Sequence, residues 1–363
     1  MMAGLLKKLE TGGRRMLFRG LAPGLSSAEV ITSIPDGEEL GGILLLRQDR
    51  IGDMIMTLPL LRKLKQVHPR AGLYVVASES NRIILKHEPG IDVIRYSKSP
   101  ADFVSSLLQV REYAPEAAVD MHMHDSTTSL IYALASGARW RLHVDRDNRL
   151  PYNVRVAAPQ DGHIMDAFAG LLSGLGRPVG TDSLDREVSL SREEADYARR
   201  FWESAGFLPG DCAAVNISAG GSNREWETEK YASVCRDLLS MGLVPLLVAH
   251  SSDRERGEVI VRLVEGSVMA PSTPTILHLA ALLRGVVLLV SPDTSVIHLA
   301  ASMGIPVVGM YLPFDPSLPK WYPWNVENEV IRADDEMSLA SVSPARVSDA
   351  VRKLVSGSIR SGQ

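Results

Sequence analysis

The segment Ile43–Leu61, ILLLRQDRIGDMIMTLPLL, joins an apolar run to a helix-like segment through a charged turn that contains glycine. The leucine-rich run before Arg47 is typical of a strand buried on both faces of a parallel sheet. Asp53 directly follows Gly52 at the start of the helical segment. Its carboxylate either stabilises the positive end of the helix dipole or acts as a general base. Physical chemistry alone leaves both interpretations open.

Short apolar runs alternate with amphipathic segments of helical length along the rest of the chain. This alternation predicts βαβ units on parallel sheets, and 363 residues suit two domains better than one core. Pro59 is typical of the first turn of a helix, where Thr57 would be the cap. The alternation stops in a stretch rich in Gly, Pro, Ser and charge, which predicts an interdomain linker over residues 179–190. The predicted fold class is α/β, with two similar domains and a cleft between them.

The composition excludes several classes of protein. The formal charge of −4 argues against general binding to nucleic acid. The two cysteines form no CxxC pair, so neither a disulfide framework nor a cysteine zinc site is expected, and a reducing cytoplasm fits. No GxSxG, P-loop or HExxH motif occurs, so serine hydrolysis, P-loop phosphoryl transfer and zinc proteolysis lack support.

Residues 1–40 form a basic N-terminal extension in this interpretation. Their first 25 residues mix Lys and Arg with Leu, Met and Phe but lack the continuous apolar region of a secretory signal. Two alternatives stay open: a solvated tail, or a short amphipathic segment that contacts anionic lipid. Residues 1–160 carry a formal charge of about +4 and the remainder about −8. The two halves therefore produce electrostatic potentials of opposite sign.

Two turns that follow strand-like segments in the second half are typical of phosphate sites. In Val286–Tyr311, VVLLVSPDTSVIHLAASMGIPVVGMY, a strand is followed by a helix whose cap is Asp293 or Thr294. A helix start above the end of a parallel strand offers free N–H groups to an anion. Thr294 and Ser295 add hydroxyl groups, and His298 lies one turn further on. The alternative is that these residues only cap the helix and pack.

The other turn, SAGGSNREW, follows the strand-like AAVNI. Its paired glycines, Gly220 and Gly221, allow close approach of the backbone to a ligand, and Arg224 can meet an anion with two hydrogen bonds. A third strand end, LLVAHSSDRERGEVI, places Asp253 and Glu255 where an acidic residue could bind ribose hydroxyls, by analogy with dinucleotide folds. A solvated helix start is the alternative there.

The segment VDMHMHDSTTS concentrates polar residues in the first half. On a strand His122 and His124 would share one face, but no third ligand stands at a useful spacing, so a metal site is not expected. Asp120 and His122 are instead expected to line the cleft, or else to pack. His163 opens a later helix and is ambiguous by itself.

Together these pieces resemble glycosyltransferase family 9, the ADP-heptose:lipopolysaccharide heptosyltransferases of Gram-negative bacteria. Three motifs carry the resemblance: RQDRIGDMIMTLPLLRKLKQVHP, SAGGSNREW and SPDTSVIHLAASMGIPVVGMY. The resemblance implies a GT-B fold, with two Rossmann-like parallel-sheet domains facing an interdomain cleft. It places an acceptor-binding domain at residues 41–178 and a nucleotide-sugar-binding domain at 191–335. Residues 336–363 would form a last helix and tail that pack back on the N-terminal domain.

The family's pattern implies a role for each matching position. Asp53 would be the catalytic base of an inverting transfer. The donor, an ADP-sugar, would contact the two turns and the acidic strand end through Ser218, Gly220, Gly221, Arg224, Glu255, Asp293, Thr294, Ser295 and His298. Arg50, Asp120, His122 and His163 would meet the acceptor. No cofactor and no metal are implied, because cationic side chains and a helix N-terminus can stabilise the departing ADP.

The partners implied are a nucleotide sugar and an anionic glycolipid or glycan, with no nucleic acid. The localisation implied is cytoplasmic, with peripheral contact at the inner face of the cytoplasmic membrane if the basic extension binds lipid. The pattern differs from the family's at Arg224, where lysine is usual, at Ala249-His250, where glycine is usual, and in its histidine-rich VDMHMHDSTTS. Two alternatives are a GT-B-like nucleotide-sugar epimerase, which needs no acceptor, and a nucleotide-binding module without catalysis.

Overall fold

The structure of the chain is a computed structural model that describes residues 30–124, 126–144, 152–157, 162–182, 184–313 and 320–361. The chain divides into two compact units. The first comprises Met1–Arg50, Leu60–Pro159 and Met165–Leu184, and the second comprises Ile51–Pro59, Gln160–Ile164 and Asp185–Gln363. The division after Leu184 lies within the linker predicted at 179–190. The basic segment 1–25 lies outside the described residues.

The first unit contains a six-stranded sheet in the order β3-β2-β1-β4-β5-β6, in which every neighbouring pair is parallel. All six residues of β1 are buried, as expected for a central strand covered on both faces. The strands are β1 Gly42–Arg47, β2 Gly72–Ser78, β3 Ile91–Tyr96, β4 Ala117–Asp120, β5 Trp140–Val144 and β6 Val154–Val156.

The second unit repeats this plan with a parallel sheet in the order β12-β11-β10-β7-β8-β9. The order reverses between β7 and β10, the point at which parallel sheets bind ligands beyond the carboxyl ends of their strands. The strands are β7 Cys212–Asn216, β8 Val244–Val248, β9 Val268–Met269, β10 Val286–Pro292, β11 Val307–Tyr311 and β12 Asn328–Arg332.

Helices connect the parallel strands in both units. The α-helices of the described residues are α1 Ile51–Val67, α2 Pro100–Tyr113, α3 Thr127–Ala135, α4 Ile164–Ser173, α5 Arg192–Ser204, α6 Thr228–Ser240, α7 Arg254–Leu263, α8 Ile276–Leu283, α9 Ser295–Ser302 and α10 Pro344–Ser361. Short 3-10 helices lie at Arg82–Leu85, Ser222–Arg224, Ser251–Asp253 and Leu339–Ser341. No helix in the described part of the chain is both long and apolar enough to cross a membrane.

Two local predictions need correction. The extension expected through residue 40 ends earlier, because Ile31 pairs with Val154 and Ile34 is fully buried in the first unit. Helix α1 begins at Ile51, so Pro59 lies inside the helix rather than in its first turn. Proline there removes one backbone donor, and the helix continues because its buried apolar face packs in the core.

The last helix, α10, was expected to pack on the N-terminal domain. Within the second unit, α6 and β12 are its neighbours. Its residues Val347, Val351 and Leu354 join the buried core cluster that contains Trp226. The indole Nε1 of Trp226 donates a hydrogen bond to the carbonyl of Val342, just before α10, at 3.0 Å. The apolar face of α10 is therefore buried in the core of the second unit.

Candidate functional site

Asp53 lies in the first turn of α1, partly buried. Arg50 is the N-cap residue, with extended backbone and no hydrogen bond from its side chain to the helix. The hydroxyl of Thr57 donates to the backbone carbonyl of Asp53 at 2.8 Å, so Thr57 supports the first turn from inside the helix rather than capping it. The carboxylate lies at the positive end of the helix dipole, as the sequence predicted.

Gly52, the neighbour of Asp53, lies against His298 of α9 within the second unit. A Cβ atom added to Gly52 would be 2.8 Å from Cδ2 of His298 and 3.6 Å from the backbone of Ser295. Gly52 is itself buried. The glycine before Asp53 therefore brings the first turn of α1 close to the start of α9, and any side chain at this position would push the two helices apart.

We expect Gly52→Ala to lower the thermal unfolding midpoint, because overpacking at a buried contact costs about 1–3 kcal/mol. The matched control is Gly170→Ala in α4, where no atom lies within 4 Å of an added Cβ. There alanine should be neutral or stabilising by up to about 1 kcal/mol, since it favours the helix over glycine. Calorimetric melting of both variants checks the prediction, and equal shifts for the two would contradict the close contact.

His298 is buried, with 6% of its surface exposed. Burial, with the charge of His163 adding to it, lowers the pKa of His298 to about 4. The imidazole is therefore neutral at pH 7. Its ring lies edge-on to Trp321, with 6.1 Å between the ring centroids. A neutral ring beside the start of α9 can act only through hydrogen bonds and shape, not through charge.

This lowered pKa makes stability depend on pH. The unfolded chain binds a proton at His298 below pH 6.5, whereas the folded chain resists it until about pH 4. We therefore expect this residue to reduce the free energy of unfolding by roughly 3 kcal/mol as the pH falls from 6.5 to 4. Urea unfolding of His298→Asn should show a shallower loss over this range than wild type. A wild-type slope in His298→Asn would disprove the assignment.

The two phosphate-type turns follow β7 and β10, which are neighbours in the second sheet. Thr294 is the cap of α9, because its hydroxyl accepts from the N–H of Val296 at 3.3 Å. Arg224 bonds to Asp293 twice: Nη2 lies 3.3 Å from the carboxylate Oδ2, and Nη1 donates to the backbone carbonyl at 3.3 Å. The guanidinium predicted to bind phosphate is thus held beside the start of α9.

Asn216, at the end of β7, joins these turns and was not predicted from the sequence. Its side chain is 1% exposed, and its Nδ2 lies 3.2 Å from the carbonyl of Ser218, 2.9 Å from the hydroxyl of Ser291 and 3.2 Å from the hydroxyl of Thr294. A buried amide shared between two loops fixes their spacing. The signal was a polar residue at the end of an otherwise apolar strand.

Only some of the residues that were predicted to contact the donor on the turns after β7 and β8 lie close to one another. Gly220 and Gly221 are exposed and leave the turn free of side chains, which suits close approach by a ligand. Ser218 donates its hydroxyl to Oδ2 of Asp253 at 2.5 Å. Glu255, the residue expected to meet ribose, is exposed in the first turn of α7. Of the two acidic residues predicted after β8, Asp253 is the one that directly contacts the predicted phosphate turn.

The residues predicted to bind acceptor lie in different settings. Arg50 is exposed directly before α1. Asp120 and His122 are buried, at 2% and 3% exposure, and Nδ1 of the histidine lies 2.7 Å from Oδ1 of the aspartate. β4 ends at Asp120, so His122 and His124 do not share a strand face. His163 groups with the second unit, where its Nε2 donates to the carbonyl of Tyr322 at 3.0 Å.

The chain is similar in sequence to known glycosyltransferases. The sequence model of glycosyltransferase family 9 (heptosyltransferase) matches residues 108–348. A lipopolysaccharide core heptosyltransferase, OpsX, from Haemophilus influenzae is 21% identical over 310 residues, which cover 81% of this chain and 85% of the relative.

Solved structures show the same fold. A glycosyl transferase family 9 protein from Veillonella parvula superposes with a TM-score of 0.73 at 20% identity, covering 87% of this chain and 98% of the other. The Escherichia coli ADP-heptose lps heptosyltransferase II gives a TM-score of 0.69 at 21% identity, covering 87% and 99%. The two parallel sheets are thus those of a GT-B fold, and because the family match covers more than half of the sequence, the chain belongs to glycosyltransferase family 9.

Proposed function

We propose that this glycosyltransferase transfers heptose from ADP-heptose to a lipopolysaccharide core or a related glycan. The names of its relatives support the sugar and the acceptor class. The observation that carries the proposal is the assembly of Arg224, Thr294 and Asn216 at two neighbouring strand ends, with Gly52 and Asp53 at the start of α1 beside α9. This is the arrangement that a nucleotide-sugar site with an adjacent base requires.

In the proposed reaction Asp53 is the general base. The oxygen of an acceptor hydroxyl attacks the anomeric carbon of the donor while its proton passes to the carboxylate of Asp53. The bond from that carbon to the diphosphate oxygen breaks, and ADP leaves with the electron pair. A single displacement of this kind inverts the configuration at the anomeric carbon.

The donor would be held by the second unit. The guanidinium of Arg224 and the free N–H groups at the start of α9 would bind the diphosphate and stabilise its developing charge. Ser218, Gly220, Gly221 and Ser295 would complete the cradle, and Asp293 and His298 would meet sugar hydroxyls. Asp253 joins Glu255 as a candidate for the ribose, because it already contacts Ser218. No metal is needed in this mechanism.

The acceptor would be an anionic glycan. Arg50 is exposed directly before α1 and suits a phosphate group. His163 stays a predicted acceptor contact. Asp120 and His122 already bond to each other, which favours a supporting role over direct contact with a sugar.

The experiment that tests this function incubates the protein with a panel of ADP-, UDP- and GDP-sugars and lipopolysaccharide-core acceptors. We expect mass spectrometry to detect one added heptose from ADP-heptose only, with inverted configuration by NMR and an unchanged rate in EDTA. Sugar conversion without acceptor would favour an epimerase. Binding of ADP without any product would favour a module that lacks catalysis. Transfer from another nucleotide sugar would overturn the assignment of the donor.

We also propose a cytoplasmic enzyme in peripheral contact with the inner membrane through its basic first segment. Clustered Lys and Arg next to apolar residues bind anionic lipid surfaces. Deletion of residues 1–25 should therefore reduce sedimentation with anionic vesicles and leave binding to neutral vesicles unchanged. Equal sedimentation of the full and shortened chains with anionic vesicles would show that the segment does not bind membranes.

A further inference from the structure

The first unit contains a buried group of charged and polar side chains that the proposed reaction does not use. It lies where β1 and β4 end, and Arg47, Asp120 and His122 in it are at most 3% exposed. We refer to it as the His122 cluster. Its members are Arg47, Gln48, Asp49, Asp120, His122, Ser129, His143 and Tyr152.

His122 connects two carboxylates that come from different parts of the chain. On one side, Nδ1 lies 2.7 Å from Oδ1 of Asp120, which also accepts from the backbone N–H of His122 at 3.1 Å. On the other side, Nε2 lies 3.6 Å from Oδ2 of Asp49. A carboxylate at each ring nitrogen favours the imidazolium form, in which both nitrogens carry a proton.

Arg47 and a protonated His122 supply two positive charges for the two carboxylates next to them. The guanidinium of Arg47 lies 3.2 Å from Asp49 and also donates to the carbonyl of Met121 at 2.8 Å. Tyr152 donates its hydroxyl to Asp120 at 2.6 Å. Two carboxylates thus face Arg47 and His122, and deprotonation of the imidazole would leave an unbalanced negative charge in a buried place.

The pKa directions follow from these contacts. Burial alone would lower the pKa of His122, but the hydrogen bond and charge of Asp120 and the charge of Asp49 outweigh burial and the opposing charge of Arg47, so the pKa is raised. Burial alone would raise the pKa of Asp120, yet its contacts with His122, the charge of His143 and the hydrogen bond from Tyr152 lower it.

Ser129 and His124 also lie next to the imidazole of His122. The hydroxyl of Ser129, on α3, lies 3.0 Å from Nδ1. The ring of His124 lies 5.6 Å from that of His122, between centroids. Among the described residues, Asp49 and Asp120 are the carboxylates that raise the pKa of His122.

The same cluster holds the segment that leads into α1. Gln48 donates to the hydroxyl of Ser129 at 2.8 Å. Asp49 is held through its carboxylate by Arg47 and His122, and its backbone carbonyl accepts from the hydroxyl of Ser78 at 3.3 Å. Arg50 follows, and α1 begins at the next residue. Residues held by the cluster are therefore joined through Arg50 to the first residue of α1.

We propose that His122 is a positioning residue: by joining Asp120 to Asp49 it fixes residues 48–50 and thereby sets the first turn of α1, which carries Asp53. The proposal rests on the proposed function of Asp53 as the base. Small displacements of a reacting group have large kinetic consequences, because a shift of about 1 Å costs up to about 100-fold in rate. His122 itself contacts neither donor nor acceptor in this role.

The kinetic test compares wild type with His122→Gln and Asp49→Asn in the transferase assay. Both variants should lower kcat by about 10- to 100-fold and leave the KM for the donor and the affinity for ADP unchanged. In wild type kcat should fall as the pH rises above 6.5 through the raised pKa of His122. In His122→Gln this alkaline decline should be absent. Asp102→Asn, an exposed carboxylate in the first turn of α2, is the control and should behave as wild type.

A second test needs no activity. In two-dimensional NMR of the full chain, the amide resonances of residues 48–53 should shift with the same pKa as the His122 ring. In Asp49→Asn that pKa should fall, and in His122→Gln the coupled shifts should disappear. If His122→Gln does not fold, Asp49→Asn decides the question, since it retains the His122–Asp120 pair.

The possible outcomes separate the two proposals. The positioning role would be overturned if both variants kept the wild-type kcat and pH profile. It would also be overturned if the amide resonances of residues 48–53 did not shift as His122 titrates. A chain that transfers no sugar but shows the coupled amide shifts would refute the proposed function and leave the control of residues 48–50 by His122 standing. Loss of ADP affinity together with kcat would indicate general structural damage and also overturn the positioning role.

Discussion

Asp53→Asn is expected to lower kcat for sugar transfer by about 100- to 10,000-fold, the range that a general base contributes. Asparagine retains the size and hydrogen-bonding capacity of the side chain but cannot accept the proton of the acceptor hydroxyl. The affinity for ADP should stay within a few-fold of wild type, because the proposed donor contacts lie on the β7 and β10 turns and not on α1. Steady-state kinetics with ADP-heptose, together with ADP calorimetry, measure the two quantities separately.

The alternative role of Asp53 is to stabilise the start of α1 through the helix dipole, which is worth about 0.3–1 kcal/mol. Asp102→Asn in the first turn of α2 removes a similar carboxylate and is the matched control. If both variants lose the same stability while only Asp53→Asn loses kcat, the base role is supported. Equal loss of transfer and ADP affinity in Asp53→Asn would assign Asp53 to structure alone.

Much of the fold could be predicted because strand and helix periodicity is local. The run before Arg47 forms a fully buried central strand of the first sheet, and the cap of α9 is Thr294, one of the two residues that the sequence indicated. The errors came from tertiary packing. Pro59 lies within α1, although proline locally prefers the start of a helix. The apolar face of α10 packs in the core of the second unit, a contact that the local sequence pattern does not specify.

The candidate site was harder to predict than the fold. Arg224 and Thr294 were found because glycine turns and helix caps have short sequence signatures. Asn216 was missed, since its role arises only when β7 and β10 become neighbours in the sheet. The same holds for His122: the sequence showed a polar segment, but the bridge to Asp49 joins residues that are 73 positions apart.

Arg224 is the strongest candidate for the diphosphate contact, and its present partner shapes the prediction. Its guanidinium is paired with Asp293 across 3.3 Å, and both side chains are partly exposed, at 28% and 22%. An incoming diphosphate must therefore replace a carboxylate rather than water. Because the pair is open to solvent, its strength is modest, and a doubly charged ligand with several oxygens can displace it.

Arg224→Ala should consequently weaken ADP by about 1.5–3 kcal/mol, the value of a hydrogen bond to a charged group, or roughly 10- to 150-fold in Kd. Arg224→Lys restores the charge but not the bidentate geometry, so its affinity for ADP should lie between those of Arg224→Ala and wild type. Asp293→Asn should have the opposite effect and increase the affinity for ADP by a few-fold, because it removes the carboxylate that competes for Arg224. The matched control is Arg284→Ala, which breaks the exposed pair with Glu187 and should leave ADP affinity unchanged. Calorimetry on the four variants measures these signs, and an unchanged Kd in Arg224→Ala would remove this residue from the diphosphate site.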